Sequence, residues 1–355
     1  MKQMISTALA LAAALALLSG CTGKPATTQP SAGQSQPGQN APTSQENEAG
    51  VSLKTGFSMT ASVAGSRDAS ADEDGCAQTD VTLVAVTVGD DGVIEDCVID
   101  GIRANIRFNT AGELTTSPAT IFESKNELGD AYGMLMGSSI GREWYEQAAA
   151  MAGYAVGKTV EQLKGIAVNE KGAPSEADLV SSVTLSIGEF VSGIESAVNH
   201  AQHLGAKRGD RLTLSTTTNM TKSMDASAEG DGLAQAYTTA AAVTFDGETI
   251  TSCYLDAVQA DVKFNGRGVI TTDLSVAQPT KNQLGDTYGM KAASSIGKEW
   301  YEQAAAFSAY VTGKTAQQVA TIAVDEYDRP DQADLAASVT LGIGDFQALI
   351  EKAAR

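Results

Sequence analysis

The chain contains one unit twice, and this duplication constrains its fold more than any other feature. Three landmark residues recur at a constant spacing of 253 − 97 = 300 − 144 = 340 − 184 = 156 residues: Cys97 and Cys253, Trp144 and Trp300, Thr184 and Thr340. Solenoid repeats have periods of about 20–50 residues, so this long period indicates tandem domains. We place the boundary near residues 205–209 and predict one domain at 51–205 and another at 206–355.

The first half of each unit has the pattern of β-structure. Residues 81–88 are rich in β-branched side chains, and the turn sequence Gly-Asp-Asp-Gly follows at 89–92. Two further strands are predicted, at 93–102 and, from its alternating pattern, at 104–108. This order predicts an antiparallel β-meander.

The second half of each unit changes to a helical period. Apolar residues at helical spacing run from Ile140 to Ala155, and Gly157 is a candidate C-cap. Thr159 and Gln162 have the spacing of a capping box, repeated by Thr315 and Gln318. A last helix carries an apolar face: Ile187, Phe190, Val191, Ile194 and Val198. The predicted fold class is therefore α+β in both copies.

Composition excludes several classes of function. The 355 residues include 24 Lys and Arg against 43 Asp and Glu, so the net charge is −19 and neither nucleic acid nor an anionic membrane surface is a suitable partner. Hydrophobic residues make up 43%, enough for a sizeable core. Two His and four Cys, with no CxxC pair, are too few ligands for most zinc, haem or iron–sulfur sites.

The N-terminus indicates the compartment. Lys2 precedes an apolar run over about residues 5–18, the length of a signal-peptide core and too short to span a bilayer. The run ends in Leu-Ser-Gly-Cys at 18–21, which resembles a bacterial lipobox. Residues 1–20 are thus predicted to be a signal peptide and Cys21 the lipid-attachment site, which anchors the protein on the extracytoplasmic face of the cell membrane. The alternative is an ordinary secretory signal with a chance cysteine.

The segment after Cys21 is predicted to be a tether. Residues 21–50 are rich in Gly, Pro, Ser, Thr and Gln and have almost no large apolar side chains. Such a composition cannot offset the entropy lost on ordering, so we expect disorder here.

One short motif, found in both copies, carries the candidate chemistry. Asp-Leu-Val-Ser-Ser-Val-Thr at 178–184 is echoed by Asp-Leu-Ala-Ala-Ser-Val-Thr at 334–340. Both resemble the flavinylation signature of FMN-binding domains, in which a flavin transferase joins FMN to the threonine through a phosphoester bond. Leu179 and Val183 stand where that family commonly has Gly and Ala.

Two further blocks are similar to the same family. They are Lys-Asn-Glu-Leu-Gly-Asp-Ala-Tyr-Gly-Met at 125–134, which recurs with two changes at 281–290, and Ser-Ser-Ile-Gly-Arg-Glu-Trp-Tyr-Glu-Gln at 138–147. With the lipobox, they resemble the pheromone-encoding flavin lipoproteins that Gram-positive bacteria use for extracellular electron transfer. The resemblance implies two covalent FMN groups, a quinol-linked electron donor in the membrane and an extracellular acceptor such as ferric iron. It implies an electron carrier, to which we assign no acid–base residues.

The resemblance also assigns candidate FMN-binding residues. The motif residues are Thr184, Asp178 and Ser182 in the first copy and Thr340, Asp334 and Ser338 in the second. Glycine permits close contact between backbone and ligand, so two dipeptides are predicted to approach the flavin ring: Leu128-Gly129 and Leu284-Gly285. Tyr132 and Tyr288 are candidates to pack beside it; the alternative is that these segments are loops with core aromatics.

Local spacing supports a phosphate site next to each threonine. A final helix that starts near Ser186, with Glu189 completing a capping box, would put Thr184 just before a helix N-terminus, where unpaired N–H groups favour a phosphodiester. Gly342 and Asp345 have the equivalent positions in the second copy. From the residues alone, the alternative is that the threonines are ordinary strand or helix-entry residues.

The cysteines and histidines allow simpler interpretations. A Cys76–Cys97 disulfide suits an oxidising compartment, but Leu233 takes the place of Cys76 in the second copy, which favours buried free thiols at Cys97 and Cys253. His200 and His203 have no counterparts in the second copy, so a metal or catalytic centre common to both units is not expected there.

A second hypothesis remains open for the whole chain. It could be a non-catalytic surface lipoprotein that binds flavin or another small ligand reversibly. In the resembling family the processed end of the signal peptide also serves as a peptide pheromone, here residues 13–20.

Overall fold

The computed structural model describes residues 50–355, which form two three-stranded antiparallel sheets, each followed by helices. The strands are β1 (Lys54–Ser62), β2 (Gly75–Val88), β3 (Ile94–Phe108), β4 (Arg211–Asn219), β5 (Gly232–Asp246) and β6 (Thr249–Phe264). The helices of the first repeat are α1 (Lys125–Leu128), α2 (Trp144–Ala155), α3 (Val160–Lys164), α4 (Ala177–Val180) and α5 (Gly188–Asn199). Those of the second are α6 (Lys281–Leu284), α7 (Trp300–Val311), α8 (Ala316–Ala320), α9 (Ala333–Ala336) and α10 (Gly344–Ala353). Short 3-10 turns lie at Gly129–Tyr132, Leu135–Gly137 and Gly285–Tyr288.

The predicted meander is present in both repeats, with strand orders β1-β2-β3 and β4-β5-β6. The α+β prediction is therefore confirmed at this level. Two details differ. The predicted strands at 93–102 and 104–108 form one continuous β3, in which Arg103 lies opposite Asp80 of β2 and donates to its carboxylate at 2.7 Å. Strand β1 was not predicted.

The helix predictions hold in part. The helix predicted to start at Ile140 begins only at Trp144, and both predicted capping boxes, at Thr159 and Thr315, are present. Gly157 has φ +77°, as expected of a residue that ends a helix. Trp144 is buried, as its position in the apolar pattern predicted.

Both faces of each sheet are buried, one against the helices of its own repeat and the other against the second sheet. On β2, Val84 and Val86 pack with Trp144 and Ile194 of the first repeat's helices. The alternate residues of β2 face the second sheet, in a cluster built from both repeats: Phe57, Met59, Val81, Leu83, Ala85, Ile102, Leu212, Ala240, Ala242 and Val258. The two repeats therefore share a core.

The contacts between repeats are reciprocal, as in a two-fold symmetric dimer within one chain. The Leu114 N–H donates to the Asp225 carboxylate at 2.7 Å, and the Ile270 N–H donates to Asp68 at the same distance. These residues are equivalent, since 225 − 68 = 157 and 270 − 114 = 156. The offset changes by one because the paired residues Val88 and Ile94 are six positions apart, whereas their equivalents Phe245 and Ile250 are five apart.

A stacked aromatic pair lies where equivalent residues of the two repeats meet. Phe108 and its equivalent Phe264 have ring centroids 4.1 Å apart and an interplanar angle of 4°. Both rings are fully buried. The predicted boundary near residues 205–209 separates the two sheets along the chain, whereas their inner faces pack together.

The predicted signal peptide, the lipid-attachment site Cys21 and most of the predicted tether lie outside the described residues. Within residues 50–355, none of the helices is both long enough and apolar enough to cross a membrane.

Candidate functional site

The two predicted attachment threonines occupy equivalent loops with the same contacts. Thr184 lies between α4 and α5, and its backbone N–H and hydroxyl both donate to the side-chain oxygen of Gln147, at 2.8 and 3.1 Å. Thr340, between α9 and α10, donates in the same way to Gln303, at 2.7 and 3.2 Å. Both threonines are half-buried.

Each of these glutamines links the threonine loop to the loop before α2 or α7. The Gln147 amide donates to the Ser138 hydroxyl at 3.3 Å and to the Arg142 carbonyl at 3.1 Å; Gln303 makes the equivalent pair of bonds. Both glutamines are fully buried, so all their polar atoms need partners. Sequence reasoning missed their role, although each ends the repeated Trp-Tyr-Glu-Gln block.

A buried glutamate shapes the same loop. The Glu143 carboxylate, which is 2% exposed, accepts the backbone N–H groups of Met134 and Leu135 at 2.8 and 2.7 Å. It also forms a capping box with Glu146 at the start of α2. Glu299 makes the same contacts in the second repeat. In each repeat, two backbone N–H groups that donate to one buried carboxylate therefore fix the loop. Sequence analysis did not assign this role to Glu143 or Glu299.

The other motif residues contact their own short helices. The Ser182 hydroxyl donates to the Leu179 carbonyl at 3.1 Å, and Ser338 does the same to Leu335 at 3.2 Å. The Asp334 carboxylate accepts the N–H of the next residue, and Asp178 lies exposed in the first turn of α4. The two serines thus link the threonine loops to the short helices before them.

The segments predicted to approach the flavin ring meet the same helix end from another side. Gly129 has φ +50°, and its neighbour Asp130 accepts the Tyr145 hydroxyl at 3.3 Å. Tyr132 packs on the core near Trp144. The first turn of α2 is therefore shared: Trp144 and Tyr145 meet this segment, whereas Gln147 meets the threonine loop.

A lysine between aromatic rings lies beside this segment in each repeat. The Lys125 ammonium is 4.6 Å from the Trp144 ring centroid and 5.3 Å from that of Tyr132. Burial lowers its pKa, with a smaller contribution from Arg103.

The second repeat encloses its lysine more fully. The Lys281 side chain is buried, and its ammonium donates to the Tyr237 hydroxyl at 3.0 Å. The ammonium lies 4.6–5.0 Å from the ring centroids of Tyr237, Tyr288 and Trp300. Burial lowers its pKa to about 8. The equivalent of Tyr237 in the first repeat is Asp80, so the two sites differ in local charge. The other two residues predicted to approach the flavin ring are Leu284 and Gly285. Leu284 is the last residue of α6, and Gly285, with φ +50°, begins the 3-10 turn that ends at Tyr288.

The predicted capping boxes at the final helices are wrong. Helix α5 begins at Gly188 with Ile187 as N-cap and no side-chain cap, and α10 begins at Gly344 after Ile343 in the same way. Glu189 instead accepts a hydrogen bond from Thr82 of β2 at 3.1 Å. Because no side chain caps the helices, their first N–H groups remain available to another acceptor.

The cysteine prediction is confirmed. Cys76, Cys97 and Cys253 are buried free thiols; burial raises the pKa of Cys97 above its usual range and that of Cys253 to about 12. Cys76 and Cys97 lie opposite Arg107 and Val86, far apart along the sheet.

The histidines lie at the end of the first repeat. His203 lies between Ser52 and Asp90, whereas His200 bonds the Ser196 carbonyl. Among residues 50–355, no group of three or more His, Cys, Asp or Glu side chains could hold a metal ion.

Comparison of the chain with protein-family models, with curated proteins and with solved structures gave no match.

Proposed function

We propose that this chain is a lipid-anchored electron-transfer flavoprotein of the extracytoplasmic membrane face, with one FMN joined by a phosphoester bond to Thr184 and another to Thr340. The duplicated threonine arrangement supports the proposal most. Two loops 156 residues apart present a half-buried hydroxyl with the same hydrogen bonds, in front of helices without side-chain caps.

The residues around each threonine fit a tethered phosphate. Esterification removes the hydroxyl proton of Thr184 and therefore its bond to Gln147, while the backbone N–H still donates to the same oxygen. The loop would thus keep its position after modification. Twelve-residue α5 and ten-residue α10 begin within a few residues of the threonines, and their N-terminal N–H groups favour an anionic group.

The flavin, when bound, supplies the redox chemistry, and the protein sets its position and exposure. Gln147 and Glu143 fix the two loops at the start of α2 through buried hydrogen bonds, which limits the movement of a group attached to Thr184. Tyr132 and Lys125 provide an aromatic and cationic wall at the same end of the helix.

The proposed partners follow from charge and anchoring. A lipid on Cys21 would keep the protein near a quinol-linked donor in the membrane, and a flavin transferase would modify the threonines. The net charge of −19 favours cationic acceptors such as ferric iron over anionic ones.

The test is the intact mass and peptide map of the protein from its native host. We expect two FMN groups per chain, on the peptides that contain Thr184 and Thr340. Thr184→Val and Thr340→Val should each remove one group, and the double variant both. Thr60→Val, which changes an exposed threonine of β1 outside both motifs, is the matched control and should keep two.

Unmodified threonines in native protein would refute the proposal. Flavin fluorescence that leaves the protein band on a denaturing gel would support the reversible ligand-binding alternative instead. Modified protein that a membrane quinol cannot reduce would refute the electron-transfer role.

A further inference from the structure

The loop that faces the start of α10 contains an unusual residue. Asp328 has φ +59°, and it is the only residue other than glycine with a positive φ among residues 50–355. Its counterpart in the first repeat is Gly172, with φ +75°. Aspartate tolerates this conformation better than most residues, but glycine adopts it without strain. The second repeat therefore has a carboxylate at a position where the backbone favours glycine.

The backbone around this position is the same in both repeats. The Ile187 N–H donates to the Gly172 carbonyl at 3.0 Å, and the Ile343 N–H donates to the Asp328 carbonyl at 2.8 Å. These bonds join the two loops to the N-caps of α5 and α10 in the same way. The difference between the repeats therefore lies in the side chains.

The side chains have changed places between the loop and the helix entry. A Cβ atom on Gly172 would lie 2.6 Å from the Ser186 hydroxyl oxygen, so the first repeat has room for only one of the two side chains. In the second repeat, Gly342 takes the place of Ser186 and leaves room for Asp328. A hydroxyl in the first repeat is thus replaced by a carboxylate in the second.

The Asp328 carboxylate lies against the first residue of α10. A Cβ atom on Gly344 would lie 3.5 Å from Asp328 Cγ and 3.6 Å from its Oδ2. Partial burial raises the pKa of Asp345, the next residue of the helix, and the Asp328 charge raises it further. Because the N-terminus of a helix favours anions, this carboxylate takes the region where the N–H groups of α10 would otherwise favour a phosphate.

We propose that Asp328 makes Thr340 a slower acceptor of FMN than Thr184. This inference rests on the proposed flavin attachment and names the residue that sets the order of the two modifications. Thr340 is three residues before the N-cap Ile343, so their Cα atoms are at most about 11 Å apart. That distance is close to the screening length of about 8–10 Å, so the carboxylate repels a phosphate that approaches Thr340. Gly172 supplies no such charge in the first repeat.

The transfer itself is a substitution at phosphorus, with a flavin dinucleotide as the activated donor. The Thr340 oxygen attacks the phosphorus atom on the flavin side, a new P–O bond forms, and a P–O bond of the diphosphate breaks. The nucleoside monophosphate leaves with the electron pair, and the hydroxyl proton passes to a base of the transferase. A nearby carboxylate opposes this step because the donor and the transferred group are both anionic.

The test is a time course of modification in the full-length chain, made without a flavin transferase and then incubated with the transferase of the host and flavin adenine dinucleotide. Peptide mass spectrometry measures the initial rate at Thr340 and at Thr184, which is the internal reference in the same chain. Asp328→Asn removes the charge, and asparagine also tolerates the left-handed conformation. We expect it to raise the ratio of the Thr340 rate to the Thr184 rate about two- to fourfold at low salt.

Matched variants and salt isolate the effect of the charge. Glu326→Gln removes an equal charge from the same loop, where Glu326 acts on Arg329, and should leave the ratio unchanged. Gly172→Asp combined with Ser186→Gly gives the first repeat the arrangement of the second and should slow Thr184 by a similar factor. About 1 M salt shortens the screening length to about 3 Å and should abolish both effects, which a purely structural change would not do. Thermal unfolding verifies that each variant is folded.

The outcomes separate this inference from the proposed function. Equal ratios in Asp328→Asn and Glu326→Gln, or an effect that persists at high salt, would overturn the role of the Asp328 charge although both threonines are modified. Faster modification of Thr340 than of Thr184 in the wild type would overturn the proposed order. Absence of FMN from both threonines in every chain would refute the proposed function and this inference together.

Discussion

Because the two sheets share their inner faces, a defect confined to one repeat should destabilise the other. Phe307 tests this directly. It is fully buried in the helix-side core of the second repeat, where its ring centroid is 5.2 Å from that of Phe346, and it belongs to neither cluster shared by the sheets. The Phe307→Ala change should lower the free energy of unfolding by about 3–5 kcal/mol through lost burial and a cavity.

The two tryptophans make this measurable, since Trp144 reports on the first repeat and Trp300 on the second. In a Trp300→Phe background, the fluorescence of Trp144 follows the first repeat alone during urea denaturation. A loss of about 4 kcal/mol, divided by an m-value of about 4 kcal/mol/M for a chain of this size, shifts the midpoint by about 1 M. We expect Phe307→Ala to shift the Trp144 transition by this amount.

The reciprocal experiment is the control. Met151 is the residue equivalent to Phe307 and is also fully buried, so Met151→Ala in a Trp144→Phe background should shift the Trp300 transition. A Trp144 midpoint that stays in place while near-ultraviolet circular dichroism shows a second, earlier transition would refute the reasoning. The repeats would then unfold as separate domains.

Three further predictions concern buried polar groups. Ser308→Ala should raise the free energy of unfolding by about 1 kcal/mol, because it removes a buried hydroxyl without a hydrogen-bond acceptor or donor among residues 50–355; thermal denaturation measures this, and a loss would contradict it. Gln147→Leu should lower stability by about 1–3 kcal/mol and reduce modification of Thr184, whose N–H loses its acceptor; chemical denaturation and peptide mapping measure the two effects, and unchanged values would contradict them. Burial raises the pKa of Asp100 and of Asp256 to about 6, against 3.8 ordinarily, so their contribution to stability is greatest below about pH 4 and is lost as the pH rises through 6. From pH 7 to 5, wild type should therefore gain stability relative to the double Asn variant, as urea midpoints would show; parallel pH profiles would contradict this.

The sequence predicted the repeat and the meander well because both depend on local or periodic signals. Strand β1 escaped prediction because packing decides its composition. The strand has only two β-branched residues, Thr55 and Thr60, and it contains Gly56, where a side chain would lie 2.1 Å from the Ala197 carbonyl oxygen of α5. The glycine reflects the close approach of a helix that is distant in sequence, which no local pattern reveals.

The candidate site was predicted only as far as its motif residues. The loop that carries Thr184 was identified from the repeated motif, but its contact with Gln147 spans 37 residues and its helix has no side-chain cap. The predicted Ser186 cap was wrong because Glu189 bonds Thr82 on the sheet. Tertiary contacts, not local spacing, decide where that helix begins.

The shared inner faces of the two sheets explain how two similar repeats can differ in their sites. Each sheet has an inner face that only the other sheet covers, so neither repeat can lose the reciprocal contacts of Asp68 and Asp225 without exposing apolar strands. The long helices α2, α5, α7 and α10 carry no such requirement, because their apolar faces pack on the sheet of their own repeat. The second repeat can therefore have Ser308 where the first has Ala152, at the cost of one unsatisfied hydroxyl, while the shared core remains unchanged. Differences between the repeats should accordingly concentrate on the helix side, where the enclosed Lys281 lies.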